Sequence, residues 1–177
     1  QKCADAIATV AAKYPDQKGL ILPFTNDIED GIVEALKDNH PLVYARLRQH
    51  SKIPKERDAV FREFEDEQNN EILISTYANQ GFDGKMVGFT VIAKVPFGPL
   101  GDIQVKAKAE NDPKWYQMQT AVELAQMVGR CVRSSTDVGH TYIIDPSFMF
   151  HFERGMKNNP LARVLPPYIS TAIIKNR

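Results

Sequence analysis

GLILPFTNDIEDGIVEALK, Gly19 to Lys37, sets the architecture. It opens with a short apolar run, Gly19 to Phe24, of the kind found in a strand buried on both faces. Thr25-Asn26-Asp27 then offers side-chain oxygens that can cap a helix. Ile28, Ile32, Val33 and Leu36 recur at helical spacing to about Lys37. An apolar strand feeding an amphipathic helix is half of a parallel crossover unit, and flanking segments repeat the pattern.

Upstream, residues 2–14 predict a helix with Ile7, Val10 and Ala11 on one face, broken at Pro15-Asp16. Downstream, Pro41 to Ala45 reads as a short strand. Pro54 to Glu65 reads as a helix that starts on proline and carries Val60, Phe61 and Phe64 on one face. Strands follow at Glu71 to Thr76 and Gly88 to Val95, separated by the loop YANQGFDG. Lys114 to Arg133 is a long helix, and Asp137-Val138-Gly139 turns the chain into a strand from His140 to Asp145. Pro166 to Ile174 reads as a terminal amphipathic helix. The expectation is an α/β three-layer sandwich with a mainly parallel central sheet. Ligands of such sheets lie beyond the carboxyl ends of the strands. The loops of interest are therefore Thr25-Asn26, Thr76 to Gly84, Pro96 to Asp102 and the segment after Asp145.

The chain has 177 residues, 43% of them hydrophobic and 25% charged, which suits one globular core and excludes collagenous or disordered classes. No apolar run approaches the ~18 residues of a membrane span. Two cysteines, Cys3 and Cys131, exclude a disulfide scaffold or a four-cysteine metal site, and indicate a reducing, intracellular compartment. His40, His50, His140 and His151 lack metal-ligand spacing, and His140 reads as a structural residue opening a buried strand. Lys plus Arg number 22, as do Asp plus Glu. Any nucleic-acid contact must then be a local groove, because there is no basic coat.

The long helix sorts its residues by face. Met118, Ala121, Leu124, Ala125, Met127, Val128, Cys131 and Val132 fall on a core-facing arc, while Gln126, Arg130 and Arg133 share the opposite one. A solvated basic face near a helix end would look like this. So would a clamp for a polyphosphate, because each guanidinium presents a planar fork of charged donors. Gly129 costs the helix ~1 kcal/mol relative to alanine, which suggests close approach of a neighbouring backbone or ligand. In the loop after EILIST, Gly81 admits a close backbone approach, and Asp83 can accept a hydrogen bond from a ribose hydroxyl. Lys52, Lys55, Arg57 and Arg62 form either a basic edge or a solvated face. Trp115 and Tyr116 suit packing or base stacking.

Together these segments resemble the second RecA-like domain of superfamily 2 helicases, specifically the XPD/DinG-type group of DNA helicases. QMVGRCVRSSTDVGHTYIID, Gln126 to Asp145, is similar to motif VI of that group. ILISTYANQGFDG, Ile72 to Gly84, is similar to motif V, and GLILPFTN, Gly19 to Asn26, to motif IV. VPFGP, Val95 to Pro99, resembles the segment that follows motif V. The resemblance covers almost the whole chain in family order. It implies a P-loop NTPase-like, RecA-like motor domain that moves on single-stranded nucleic acid, preferably DNA, with ATP and Mg²⁺ bound at the interface with a first motor domain. Arg133 would be the arginine finger, supported by Arg130 and Gln126. Gly81, Asp83 and Gln80 would contact the nucleotide or relay its state, and Thr25, Asn26 and Thr76 would hydrogen-bond nucleic-acid phosphates.

Two departures stand out. Thr25-Asn26 replaces the common Ser-Tyr of motif IV, and Gln80 replaces a glutamate of motif V. No phosphate loop (GxxxxGK followed by Ser or Thr) occurs, and the four-cysteine cluster of many relatives is absent. The chain begins at Gln1 instead of Met, so residues 1–177 are expected to be one RecA-like domain of a longer protein, inactive alone as an ATP hydrolase. Two other readings stand beside it. One is a standalone RecA-like binding or regulatory module without catalysis. The other is an unrelated small-molecule enzyme using the Thr76–Gly84 loop, where no nucleophile–base pair is evident.

Overall fold

The computed structural model describes residues 1–66, 69–78, 82, 87–131, 139–148, 165–167 and 169. The chain divides into two compact units. The first comprises Gln1–Lys94 with Gly129–Ile144, and the second Val95–Val128 with Asp145–Arg177.

The first unit is built on β1 (Lys18–Leu22). Its elements run α1 (Lys2–Ala11), β1, α2 (Asn26–Asn39), α3 (Pro41–Tyr44), β2 (Leu47–Arg48), α4 (Pro54–Asp66), β3 (Ile72–Ile74) and β4 (Val87–Ile92). The second unit contributes α5 (Ile103–Asn111) and α6 (Pro113–Val128), after which a 3₁₀ turn at Gly129–Cys131 and β5 (His140–Ile143) return to the first. Among the described residues the strands form one sheet in the order β2-β3-β1-β4-β5. Every pairing is parallel.

Alternation along the strands assigns the two faces. Ile21, Ile72, Ile74, Phe89 and Val91 join one buried cluster with Ile7, Val10 and Ala11 of α1 and Ile32 and Leu36 of α2. Lys18, on the opposite face, donates from Nζ to the Phe64 carbonyl of α4 and lies over the Phe64 ring, 4.8 Å from its centroid. Phe64 in turn meets Phe82 at 6.0 Å. Helices thus cover both faces, as the apolar strand sequences require. At the amino ends of the strands, Arg46 donates to the carbonyls of Asn70, Ala11, Tyr14 and Gln17. That guanidinium is structural, and its burial lowers its pKa.

The segment expected as a strand, Pro41 to Ala45, is instead the helical turn α3. Proline at its first position suits a helix start, and the pairing edge begins only at Leu47. The first helix stops at Ala11. The long helix stops as an α-helix at Val128 and tightens into the 3₁₀ turn, with Val132 and Arg133 outside the described residues. A Cβ on Gly129 would meet no described protein atom within 4 Å, so a neighbouring backbone does not explain this glycine, which stands where the α-helix gives way to the 3₁₀ turn. On the expected core arc Ala121, Leu124 and Met127 are buried, but Met118 is 40% exposed. His140 opens an edge strand and is exposed, not buried. Most of the expected tail helix lies outside the described residues. No helix among the described residues is long and apolar enough to cross a membrane.

Candidate functional site

The carboxyl ends of β1 and β3 are adjacent, because these strands pair directly. Phe24, just beyond β1, has φ 79°, a conformation that a bulky residue adopts only under constraint. It delivers Thr25 to the start of α2, where the Thr25 hydroxyl accepts from the Ile28 N–H at 3.4 Å. The expected cap is therefore present.

From β3, Thr76 reaches across to this helix start. Its hydroxyl donates to Asn26 Oδ1 at 3.1 Å, and its N–H donates to Glu29 Oε2 at 3.1 Å. Burial raises the pKa of Glu29; the Thr76 N–H and the Lys52 ammonium act against that shift. Thr25, Asn26 and Thr76, predicted from sequence as one group, are thus brought together. Thr25 is exposed, and the other two are half-buried.

A second layer fixes Thr76 from behind. His50 Nδ1 lies 2.8 Å from the Ser51 carbonyl and Nε2 lies 2.8 Å from Ser75 Oγ. A carbonyl only accepts, so Nδ1 carries the proton and Nε2 accepts from the Ser75 hydroxyl. Ser75 Oγ also accepts from the N–H groups of Tyr77 and Ala78, at 3.0 and 3.2 Å. Fully buried Ser75 therefore shapes the turn leaving β3. Sequence reasoning missed Glu29, His50 and Ser75. Glu29 carried a signal, as an acid in the first turn of a capped helix; His50 and Ser75, 25 residues apart, carried none.

The arginine segment also meets the turn after β3. Arg130 Nη1 donates to the Phe82 carbonyl at 2.6 Å, and burial lowers the Arg130 pKa. Phe82 is buried between the two loop residues singled out from sequence. Those residues, Gly81 and Asp83, lie outside the described residues, as do Gln80 and Arg133. Gln126 is exposed near the end of α6, in the second unit.

Three further residues make contacts within the second unit. Tyr116 donates to the Gly98 carbonyl at 2.7 Å, and Lys108 Nζ lies 4.0 Å from the Trp115 ring centroid, so both aromatics are engaged within the second unit. Asp145 accepts from the N–H groups of Val95 and Ser147, each at 2.9 Å. Among the described residues no group of His, Cys, Asp and Glu is arranged to hold a metal ion.

The sequence family described as "Helicase C-terminal domain" matches residues 9–158. No curated protein matches the chain. The solved C-terminal domain of the DEAD-box protein Dbp5 superposes with a TM-score of 0.57 at 14% identity, over 97% of this chain and 80% of that one. Domain 2 of the DEAD-box helicase Mss116p, solved bound to an RNA duplex, superposes with a TM-score of 0.52 at 15% identity, over 88% of this chain and 57% of that one. At such identities the likeness is one of fold, here the RecA-like fold.

Proposed function

The chain belongs to the helicase C-terminal domain family, and from that premise we propose that it is the second motor domain of an ATP-dependent DNA helicase of the XPD/DinG type. The observation that carries the reading is the Arg130–Phe82 hydrogen bond, which ties the arginine segment to the loop bearing Gly81 and Asp83. A nucleotide-sensing loop and a catalytic arginine that must respond to one ligand need such a mechanical link.

The donor set fits half of a nucleotide site. Arginines suit triphosphate oxygens, whereas the chain has no phosphate loop and, among its described residues, no metal-ligating group. A partner domain would hold Mg²⁺ and ATP, whose phosphoanhydride bond supplies the driving free energy. Arg133 would place its guanidinium on the transferring phosphoryl oxygens. Arg130, through its bond to the Phe82 carbonyl, would be a positioning residue. Gln126 and Gln80 are assigned to the same coupling by the resemblance. Thr25, Asn26 and Thr76 would bind phosphates of the strand, the first turn of α2 adding backbone N–H groups without a basic surface.

Steady-state ATP hydrolysis tests this. The chain alone turns over no ATP. Joined to its phosphate-loop domain, the wild type hydrolyses ATP, and Arg133→Ala lowers kcat by ~10³–10⁵ with little change in nucleotide affinity. Preserved kcat with weakened binding would make Arg133 a uniform binding residue and remove the finger.

A further inference from the structure

Tyr77 stands immediately after Thr76 with 37% of its surface exposed, an aromatic ring at the edge of an otherwise polar network. It is rigidly mounted. The His50 ring meets it edge-on at 5.8 Å, and His50 is itself fixed by Ser51 and Ser75. Behind His50 lie Phe61 at 5.3 Å and then Phe82 at 5.2 Å, so the ring rests on an aromatic ladder that runs into the core.

The Arg57 guanidinium carbon sits 4.8 Å from the Tyr77 ring centroid. Its Nε and Nη2 donate to Asp58 Oδ1 at 3.1 and 2.9 Å, which fixes its plane. Lys52 is exposed and close enough to Glu29 to act on it electrostatically. A cation–aromatic pair held in advance, with an exposed ammonium group acting on Glu29, the partner of the adjoining Thr76 N–H, matches the chemistry of an unstacked nucleobase and its neighbouring phosphate. Ordering these side chains beforehand lowers the entropic cost of receiving a base.

We propose that the Arg57–Tyr77 pair is a stacking platform for one unpaired base of single-stranded nucleic acid, with Lys52 meeting a neighbouring phosphate. The proposal rests on the strand-binding reading of Thr25, Asn26 and Thr76, and extends it from backbone contact to base contact. Every base has a π face, so the platform is indifferent to sequence.

Fluorescence anisotropy at low ionic strength, with this chain, an oligothymidylate and an abasic oligonucleotide of equal length, separates the two ideas. The wild type binds the oligothymidylate more tightly than the abasic strand. Tyr77→Ala weakens oligothymidylate binding by roughly five- to hundredfold and leaves abasic binding unchanged, while Tyr77→Phe keeps the wild-type preference. Circular dichroism confirms that the variants fold. Equal wild-type affinity for both strands, or unchanged oligothymidylate binding by Tyr77→Ala, overturns the platform while leaving the phosphate contacts in place. No binding to either strand removes the strand-binding reading and the platform with it.

Discussion

Glu29 shows how one side chain ties the site to the stability of the fold. It accepts the Thr76 N–H while partly withdrawn from water, and that desolvation raises its pKa above the ordinary value of 4.5. The folded state therefore holds its proton more tightly than the unfolded chain. Stability from this group is fully present below 4.5 and is lost as pH rises through the raised folded value. Glu29→Gln keeps an oxygen for Thr76 and removes the ionisation. Thermal midpoints measured upward from pH 4.5 should show the variant gaining on the wild type as pH rises, the difference then becoming constant. A difference that is flat across the acid range would mean that Glu29 titrates as it does in water. Ionised Glu29, partly withdrawn from water beside Thr76, thus carries a cost in stability, as expected for a site selected for something other than folding.

At the scale of the element, β1 is the strand whose packing admits least change. Gly19 pairs with Ile72 on one side and Phe89 on the other, and a Cβ there would lie 2.3–2.8 Å from Phe89 ring atoms. That ring cannot retreat, being fully buried and stacked on Tyr14 at 5.0 Å. Gly19→Ala should cost about 1–3 kcal/mol or more, read as a lower urea midpoint at unchanged slope. An unshifted midpoint would show that the ring has somewhere to go. The same strand explains how much could be read in advance. GLILPF and EILIST are apolar without interruption because both faces are covered, so strand identity, parallel pairing and the Thr25 cap were all legible. PLVYA was not, because four or five apolar residues fit a strand or a helical turn equally, and only the pairing edge at Leu47 decides. The α-to-3₁₀ change at Gly129 was hidden for a similar reason: a uniform helical period projects Gln126 and Arg130 onto one face whether or not the helix continues. Of the site, the three strand-end residues were legible as cap and loop chemistry. The His50–Ser75 bond joins distant segments with no local pattern, and only the folded chain reveals it.

The whole molecule carries 22 positive and 22 negative side chains, so no long-range field draws a polyanion to it. Affinity for a strand must then come from a few local cations, and this fixes its salt dependence. Lys52, which acts on Glu29, and Lys55, three residues on at the start of α4, are exposed, whereas Arg57 is held against Asp58 and Tyr77. Two neutralised phosphates on a single strand give a slope of log K against log salt of about −1.4. A coating protein of the same size with ten contacts would give about −7. Titrations of one oligothymidylate at several salt concentrations should therefore yield the shallow line, and Lys52→Gln with Lys55→Gln should bring the slope close to zero. The stacking contribution of Tyr77 releases no counterions, so it should shift the line without tilting it. A steep slope that survives the lysine substitutions would place the strand on a different surface of the molecule.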